Sequence, residues 1–242
     1  MLNIIYSEIL KLKKSNCMAM ILTASFGMVI LMNTAILITG DKKRTFESYC
    51  SNIGLMNSLI IFSMFFCMIA SYIFIREYND KTASTIYSYP FPRIKIFFGK
   101  LIVIYIIIAI IYFLQSISAY LSYYKLFGIL NKDEVFLNIK VNTYSMFFQM
   151  SSIPMIIFLG NLKKNIILPI GYEILTIIIN GVHDNRFISQ IKFNPLIGAQ
   201  SVFKYFYEEG SLEIRSMTVA SLIFFIVSIF ICIYHFCKDD VH

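Results

Sequence analysis

REYNDKTASTIYSYPFPRIKIFFGK, residues 76–100, is the polar interruption on which the reading of this chain turns. It separates two long apolar runs and reads as a short helix followed by a turn. Asp80 is placed to N-cap that helix, because its carboxylate can accept from the free backbone N–H groups of a first turn. Pro90 cannot continue a helix and biases Tyr89 out of the α region, and Pro92 repeats the stop. Lys81 to Ser88 then makes about two turns, ~12 Å long at about 1.5 Å per residue. Arg93, Lys95 and Lys100 follow between Ile94, Ile96, Phe97 and Phe98. That pattern suits a chain lying in the headgroup layer before it re-enters the membrane, with its basic stems snorkelling. The pattern alone leaves two readings open, a docking knob at the mouth of a helical bundle or an ordinary loop.

Outward from this stretch the chain is apolar. Of 242 residues, 58% are hydrophobic and 14% charged, with a mean hydropathy of +0.71. A soluble domain carries about 25% charged residues, so the composition specifies an integral membrane protein. The apolar runs are too long and too many for a cleavable signal peptide, and the chain reads as uncleaved. The net charge of +7 reports topology and anionic lipid, not nucleic acid. Cys17, Cys50, Cys67, Cys232 and Cys237 form no C-x-x-C pair and read as free thiols.

Six candidate spans are near the ~20 residues needed to cross the hydrocarbon core, at roughly 17–39, 52–75, 101–123, 141–160, 165–181 and 217–237. The fifth is the weakest, being short and holding Pro169, Gly171 and Glu173. Ahead of the first span, residues 3–14 form an amphipathic helix for the interface, with Ile4, Ile5, Ile9 and Leu12 on one face and Ser7, Glu8, Lys11 and Lys14 on another. Between spans five and six, residues 182–216 carry Asn194–Pro195 and then an aromatic stretch too short to cross. It reads as a re-entrant or interfacial helix, or as a surface loop. The 21 Lys and Arg divide almost evenly between the two sides, so charge alone barely orients the chain.

Catalytic signatures are missing. The chain has no G-x-x-x-x-G-K-[ST] loop for nucleotide phosphates, no H-E-x-x-H and no G-x-S-x-G. Glu173 is the acidic residue well inside a span. A carboxylate there is costly, so it is either a cavity-facing group that meets substrate or a structural glutamate locking the fifth span to a neighbour. Asn33, Asn57, Gln115, Gln149 and Asn180 read as interhelical hydrogen bonds. Tyr72, Tyr78, Tyr120, Tyr123, Tyr124, Tyr205 and Tyr207 read as an interfacial belt.

The chain opens with Glu8, Lys11, Lys13, Lys14 and Ser15 in the form Glu-x-x-Lys-x-Lys-Lys-Ser. Between spans two and three stand Glu77, Thr82, Pro90, Arg93 and Lys100. Together with six spans and a long loop holding Asn-Pro before the last, this resembles the permease subunits of ABC-2 type transporters, and in particular the small permeases of bacitracin-resistance and lantibiotic-immunity systems. The resemblance covers essentially the whole chain. It implies an all-α membrane protein, residues 1–242 forming one six-helix transmembrane domain. Residues 1–16 would be an elbow helix, and 76–100 a coupling region in which Glu77, Asp80, Thr82, Pro90, Arg93 and Lys100 dock a separate ATP-binding subunit. Residues 182–216 would be an extracellular loop with re-entrant helices. Glu8, Lys11 and Lys14 would belong to the elbow. It implies no enzymatic activity and no cofactor in this chain, since ATP and Mg would sit in the partner. A second permease subunit, identical or homologous, would complete the pore. It further implies a multi-pass protein of the bacterial plasma membrane with both termini cytoplasmic, exporting antimicrobial peptides or other amphipathic compounds. One position departs from the family pattern: Lys81 stands where Gly often precedes the Thr. Two other classes compete, an ATPase-independent carrier or channel, and a membrane-anchored immunity or binding protein.

Overall fold

A computed structural model describes residues 2–13, 15, 17–40, 44–82, 92–128, 130–182, 198–207 and 214–238. Among the described residues every regular element is helical. The helices are α1 (Leu2–Lys13), α2 (Cys17–Thr39), α3 (Phe46–Asn79), α4 (Arg93–Phe127), α5 (Lys132–Lys163), α6 (Ile167–Val182), α7 (Gly198–Tyr207) and α8 (Ile214–Lys238).

Among the described residues five helices, α2, α3, α4, α5 and α8, are long and apolar enough to cross a membrane. The sixth expected span corresponds to α6. It has 16 residues, about 24 Å at ~1.5 Å per residue, short of the ~30 Å hydrocarbon core. The other spans extend beyond their expected limits. Phe46 to Ser51 and Lys132 to Lys140, expected as loop, are helical. Thr45 explains the first extension, because its side chain accepts from the Ser48 N–H at 3.3 Å and caps α3 six residues early. Gly128, at φ 81°, ends α4 in the left-handed conformation that a glycine adopts without a Cβ penalty.

One core joins α2, α3, α4, α5 and α8. Phe62 stacks on Phe66 and meets Tyr112 edge-on, and Phe74, Phe97 and Phe236 meet near the end where α3 finishes and α4 starts. α3 is interrupted by one π-helical stretch, Asn57–Ile61. The widened turn frees the Ser58 carbonyl, which accepts from Gln149 Nε2 of α5 at 3.0 Å and from Ser63 Oγ at 3.1 Å. α7 supplies the short helix expected between the last two apolar segments. It packs on α3 and α5, with Phe203 lying directly over Gly54.

The in-span amides divide in two. Asn33 accepts from Tyr49 at 2.7 Å, and Gln149 bonds as above. By contrast, both amide atoms of Asn57 are buried with no hydrogen-bond partner, as are one atom each of Gln115 and Asn180. Part of the tyrosine belt turns inward. Tyr120 donates to Asn138, Tyr123 donates to the Arg44 carbonyl, and Tyr207 accepts from Asn138. Tyr124 remains exposed.

Candidate functional site: an ionic clamp beneath the inter-helix turn

The end of α3 is closed by backbone geometry. Its last turn runs through Arg76, Glu77, Tyr78 and Asn79. Asp80 then accepts the role of C-cap, its N–H donating to the Arg76 carbonyl at 2.8 Å. Asp80 is therefore not the N-cap of a new helix. α3 continues because its polar final turn is satisfied from inside the protein. Lys81 follows at φ 55°. Its N–H donates to Tyr78 O at 3.2 Å, and the Thr82 N–H donates to Glu77 O at 2.9 Å. This is a Schellman closure with the left-handed residue at Lys81. The Thr82 hydroxyl also donates to Glu77 O at 3.4 Å. The five-residue spacing of Glu77 and Thr82 is thus the span of the closing hydrogen bond, and the position between them that favours glycine is the one needing positive φ. Of the helix expected over 81–88, Lys81 and Thr82 belong to this turn, and the rest, with Pro90, lies outside the described residues.

The Glu77 side chain points the other way. It is 2% exposed and Lys100 is 1% exposed. Lys100 Nζ lies 2.5 Å from Glu77 Oε2 and 3.4 Å from the Ile73 carbonyl. Lys11 Nζ lies 3.1 Å from Glu77 Oε1 and 2.5 Å from Glu8 Oε1. Arg76 closes the cluster with its guanidinium 3.7 Å from Glu8 Oε2. Two carboxylates are thereby shared among three cations drawn from α1, α3 and α4. Burial lowers the affinity of Lys11 for its proton. The hydrogen bonds and charges of Glu8 and Glu77 outweigh that effect and hold its pKa above the ordinary lysine value.

This geometry revises two expectations. Lys100 is not a snorkelling headgroup residue, because Arg93 to Lys100 is already the first two turns of α4 and the eighth residue of that helix, Lys100, faces inward. α1 also presents a different face. Glu8 and Leu12 are buried, while Ile9 and Leu10 are exposed. The helix turns its charged residues toward the other charges and leaves those apolar side chains outward. Its seat is Gly99, where an added Cβ would lie 2.7 Å from Ile4 Cγ2.

Glu77 and Lys100, expected at the docking region, meet Glu8 and Lys11, expected on the elbow helix, in one cluster, and Asp80 and Thr82 form the turn above it. Arg93 stands apart on the outer side of α4, donating to the Cys237 carbonyl in the last turn of α8 at 3.3 Å. Lys14 lies outside the described residues. Sequence reasoning missed Arg76 and Gly99. Arg76 had a visible signal, a basic residue adjacent to Glu77, but nothing in the sequence joined it to a glutamate 68 positions earlier.

Glu173 is not among the ion-paired residues of the clamp. It is buried on α6 and accepts from Thr176 Oγ1 at 3.0 Å. Among the described residues no group of three or more His, Cys, Asp or Glu is arranged to hold a metal ion, and all five cysteines are free.

No curated protein matches the chain. A family profile described as ABC-2 family transporter protein matches residues 4–180. That range takes in most of α1, the charged residues of the clamp and the turn above them, and it is well over half of the chain. Members of this family work with an ATP-binding subunit. The chain belongs to the ABC-2 family of transporter proteins and is a multi-pass membrane transport subunit.

Proposed function

We propose that this chain is the permease subunit of an ATP-driven exporter that moves amphipathic compounds, antimicrobial peptides of the lantibiotic or bacitracin kind among them, out of the membrane for immunity or resistance. The observation that carries this reading is the clamp: Glu77 ties Lys11 of α1 and Lys100 of α4 to the end of α3. A force applied at the turn of Asp80 to Thr82 would be passed to α1, α3 and α4 as one body, which is what coupling to a separate motor requires. The chain performs no hydrolysis itself; ATP and Mg belong to the partner. Residues 81–88 and the adjoining turn enter a cleft of that partner, and α1 braces them from the side. Glu77 acts by holding the turn in place, because its carboxylate is buried.

In this reading α6 completes six spans, α7 is a re-entrant helix at the exit, and a second permease subunit supplies the other half of the pathway. Both termini lie in the cytoplasm of a bacterium. Affinity purification of the tagged full chain in mild detergent, with mass spectrometry of what accompanies it, tests the proposal. A stoichiometric ATP-binding subunit that is lost on Glu77→Ala supports it. A chain that purifies alone in a transport-competent state overturns it in favour of an independent carrier or an immunity protein.

A further inference from the structure

α5 and α8 lie side by side and run in the same direction. The Phe158 and His235 rings meet edge to face, with centroids 5.6 Å apart, toward one end. Val141, Phe148 and Met217 share a cluster toward the other. The pairing of Phe158 with His235 sets Tyr144 level with Ser221, and Asn138 level with Arg215. Between the two helices and α4 lies a groove of about 520 Å³. Phe147 and Leu222 on its wall are exposed, so it opens toward lipid. The hydroxyls of Tyr105, Ser151, Thr218 and Ser221 all donate to helix carbonyls. The groove therefore accepts hydrocarbon and has nothing along these walls to recognise a polar group.

Its end away from the clamp is different. A second cavity, of about 450 Å³, shares Tyr144 and Phe147 with the groove and reaches Lys140. Lys140 is exposed, with Nζ 5.3 Å from the centroid of the Phe206 ring. Arg215 stands in the first turn of α8, one turn before Thr218 of the groove wall, and is also exposed. Neither cation is paired with a carboxylate among the described residues; Glu208, Glu209 and Glu213 lie outside them. Tyr144, which the two cavities share, has a hydroxyl with no hydrogen bond among the described residues. From Lys140 to Ser151 the groove runs about 16 Å at ~1.5 Å per residue. That is about half of the ~30 Å hydrocarbon core, the depth of one leaflet.

We infer that this groove is a binding site for one membrane lipid with an acidic, phosphate-bearing headgroup. Its acyl chain lies between α5 and α8, and its phosphate is held at the mouth by Lys140 and Arg215, with Tyr144 as a hydrogen-bond donor. An apolar groove one leaflet deep takes a hydrocarbon chain, and two cations at the headgroup end select a group that accepts from both. A zwitterionic headgroup would bring its own ammonium toward them and is disfavoured. The inference rests on the chain being a membrane protein and is independent of what it exports.

The test is native mass spectrometry of the full chain in dodecyl maltoside, titrated with phosphatidylglycerol or with phosphatidylcholine of the same acyl chains. The wild type is expected to retain one phosphatidylglycerol about tenfold more strongly than phosphatidylcholine, the scale of two surface cations acting on one acidic headgroup. Lys140→Gln with Arg215→Gln, both at exposed positions that leave the core untouched, is expected to bring the two lipids within about twofold. Lys125→Gln, at an exposed cation in the last turn of α4, is expected to leave the preference intact. Thr218→Trp, which narrows the groove, is expected to weaken retention of both lipids. Equal retention of the two lipids by the wild type means that the headgroup is not read. Equal weakening by Lys125→Gln means that the preference is diffuse surface charge. Undiminished retention in Thr218→Trp places the lipid elsewhere, and a dimer that this variant dissociates gives the groove to a second copy of the chain. Each of these results overturns the inference, and none bears on whether an ATP-binding subunit co-purifies, which tests the permease reading separately.

Discussion

Lys100 and Glu77 face each other across the junction of α3 and α4, 23 positions apart in sequence, with Nζ 2.5 Å from Oε2 and both side chains sealed from solvent. An ion pair in such a place adds little net stability over an apolar pair, but removing one member leaves a naked buried charge at a cost of about 3–5 kcal/mol. Glu77→Gln and Lys100→Met are each expected to lower the unfolding temperature in detergent strongly. The double variant is expected to lose much less than the sum, which a double-mutant cycle on thermal unfolding would show. Strict additivity would mean that the two groups do not act as a pair.

Lys81 holds a left-handed backbone conformation that costs a non-glycine residue roughly 1–2 kcal/mol. Lys81→Gly is expected to recover about 1 kcal/mol at this turn, read as slower proteolysis between α3 and α4. Lys81→Val, β-branched and ill-suited to positive φ, is expected to speed it. If glycine destabilises the turn, the Schellman closure at Thr82 is wrongly placed.

Lys11 gives the clamp its pH dependence. Its folded pKa lies above the unfolded lysine value of about 10.5, since Glu8 and Glu77 outweigh burial. The stabilisation is therefore fully present below the unfolded pKa and is lost as pH rises through the folded one. At neutral pH the wild type should hold α1 in place, while Lys11→Met should expose it. Hydrogen exchange over Leu2–Lys13 is expected to rise in the variant at pH 7 and in the wild type only at strongly alkaline pH.

Gly54 of α3 leaves the space that the Phe203 ring of α7 fills. An added Cβ would fall 2.0 Å from Phe203 Cε1, so Gly54→Ala must displace the ring or the helix that carries it. Overpacking of this kind costs about 1–3 kcal/mol. Phe203→Leu in the same chain is expected to recover most of it, as read by thermal unfolding of the single and double variants.

Arg93 reaches the Cys237 carbonyl at an exposed site, where a hydrogen bond contributes little to global stability. Arg93→Ala is expected to leave the unfolding temperature nearly unchanged and to increase exchange in the last turn of α8. Loss of the ATP-binding subunit in this variant, with the fold intact, would assign Arg93 to the docking surface.

The apolar architecture was legible because long hydrophobic runs admit few other readings. The first span was found to its boundaries, Cys17 to Thr39, where small polar residues and a glycine bracket the run. The limits of α3 and α4 were not, because charged residues were assumed to lie in water. Arg76, Glu77 and Lys100 break that assumption, Glu77 pairing with Lys100 and Lys11, and Arg76 with Glu8, inside the protein. The same error turned the wrong face of α1 inward. Glu8 counts as polar by itself, and only the approach of Arg76 and Lys11 makes its burial tolerable. Glu77 and Thr82 were recognised as a pair, but their physical relation, a backbone hydrogen bond across a left-handed residue, is invisible until φ at Lys81 is known. Glu173 was legible as an anomaly, a carboxyl inside an apolar run, and its hydrogen bond from Thr176 one turn later was not.

The seat of α1 also fixes an order of events during synthesis. α1 emerges early, yet its ionic partners Arg76 and Glu77 and its steric seat at Gly99 are translated only after two long apolar helices have been made. Until then Glu8 and Lys11 have only each other, and the helix must wait at the membrane surface. Its docking is therefore a late checkpoint: it succeeds only when α3 and α4 have been inserted with their charged ends on the same side as the waiting helix. A chain with either helix inverted would be left with an unseated amphipathic segment, an exposed mark by which quality-control proteases could tell it from a correctly threaded one.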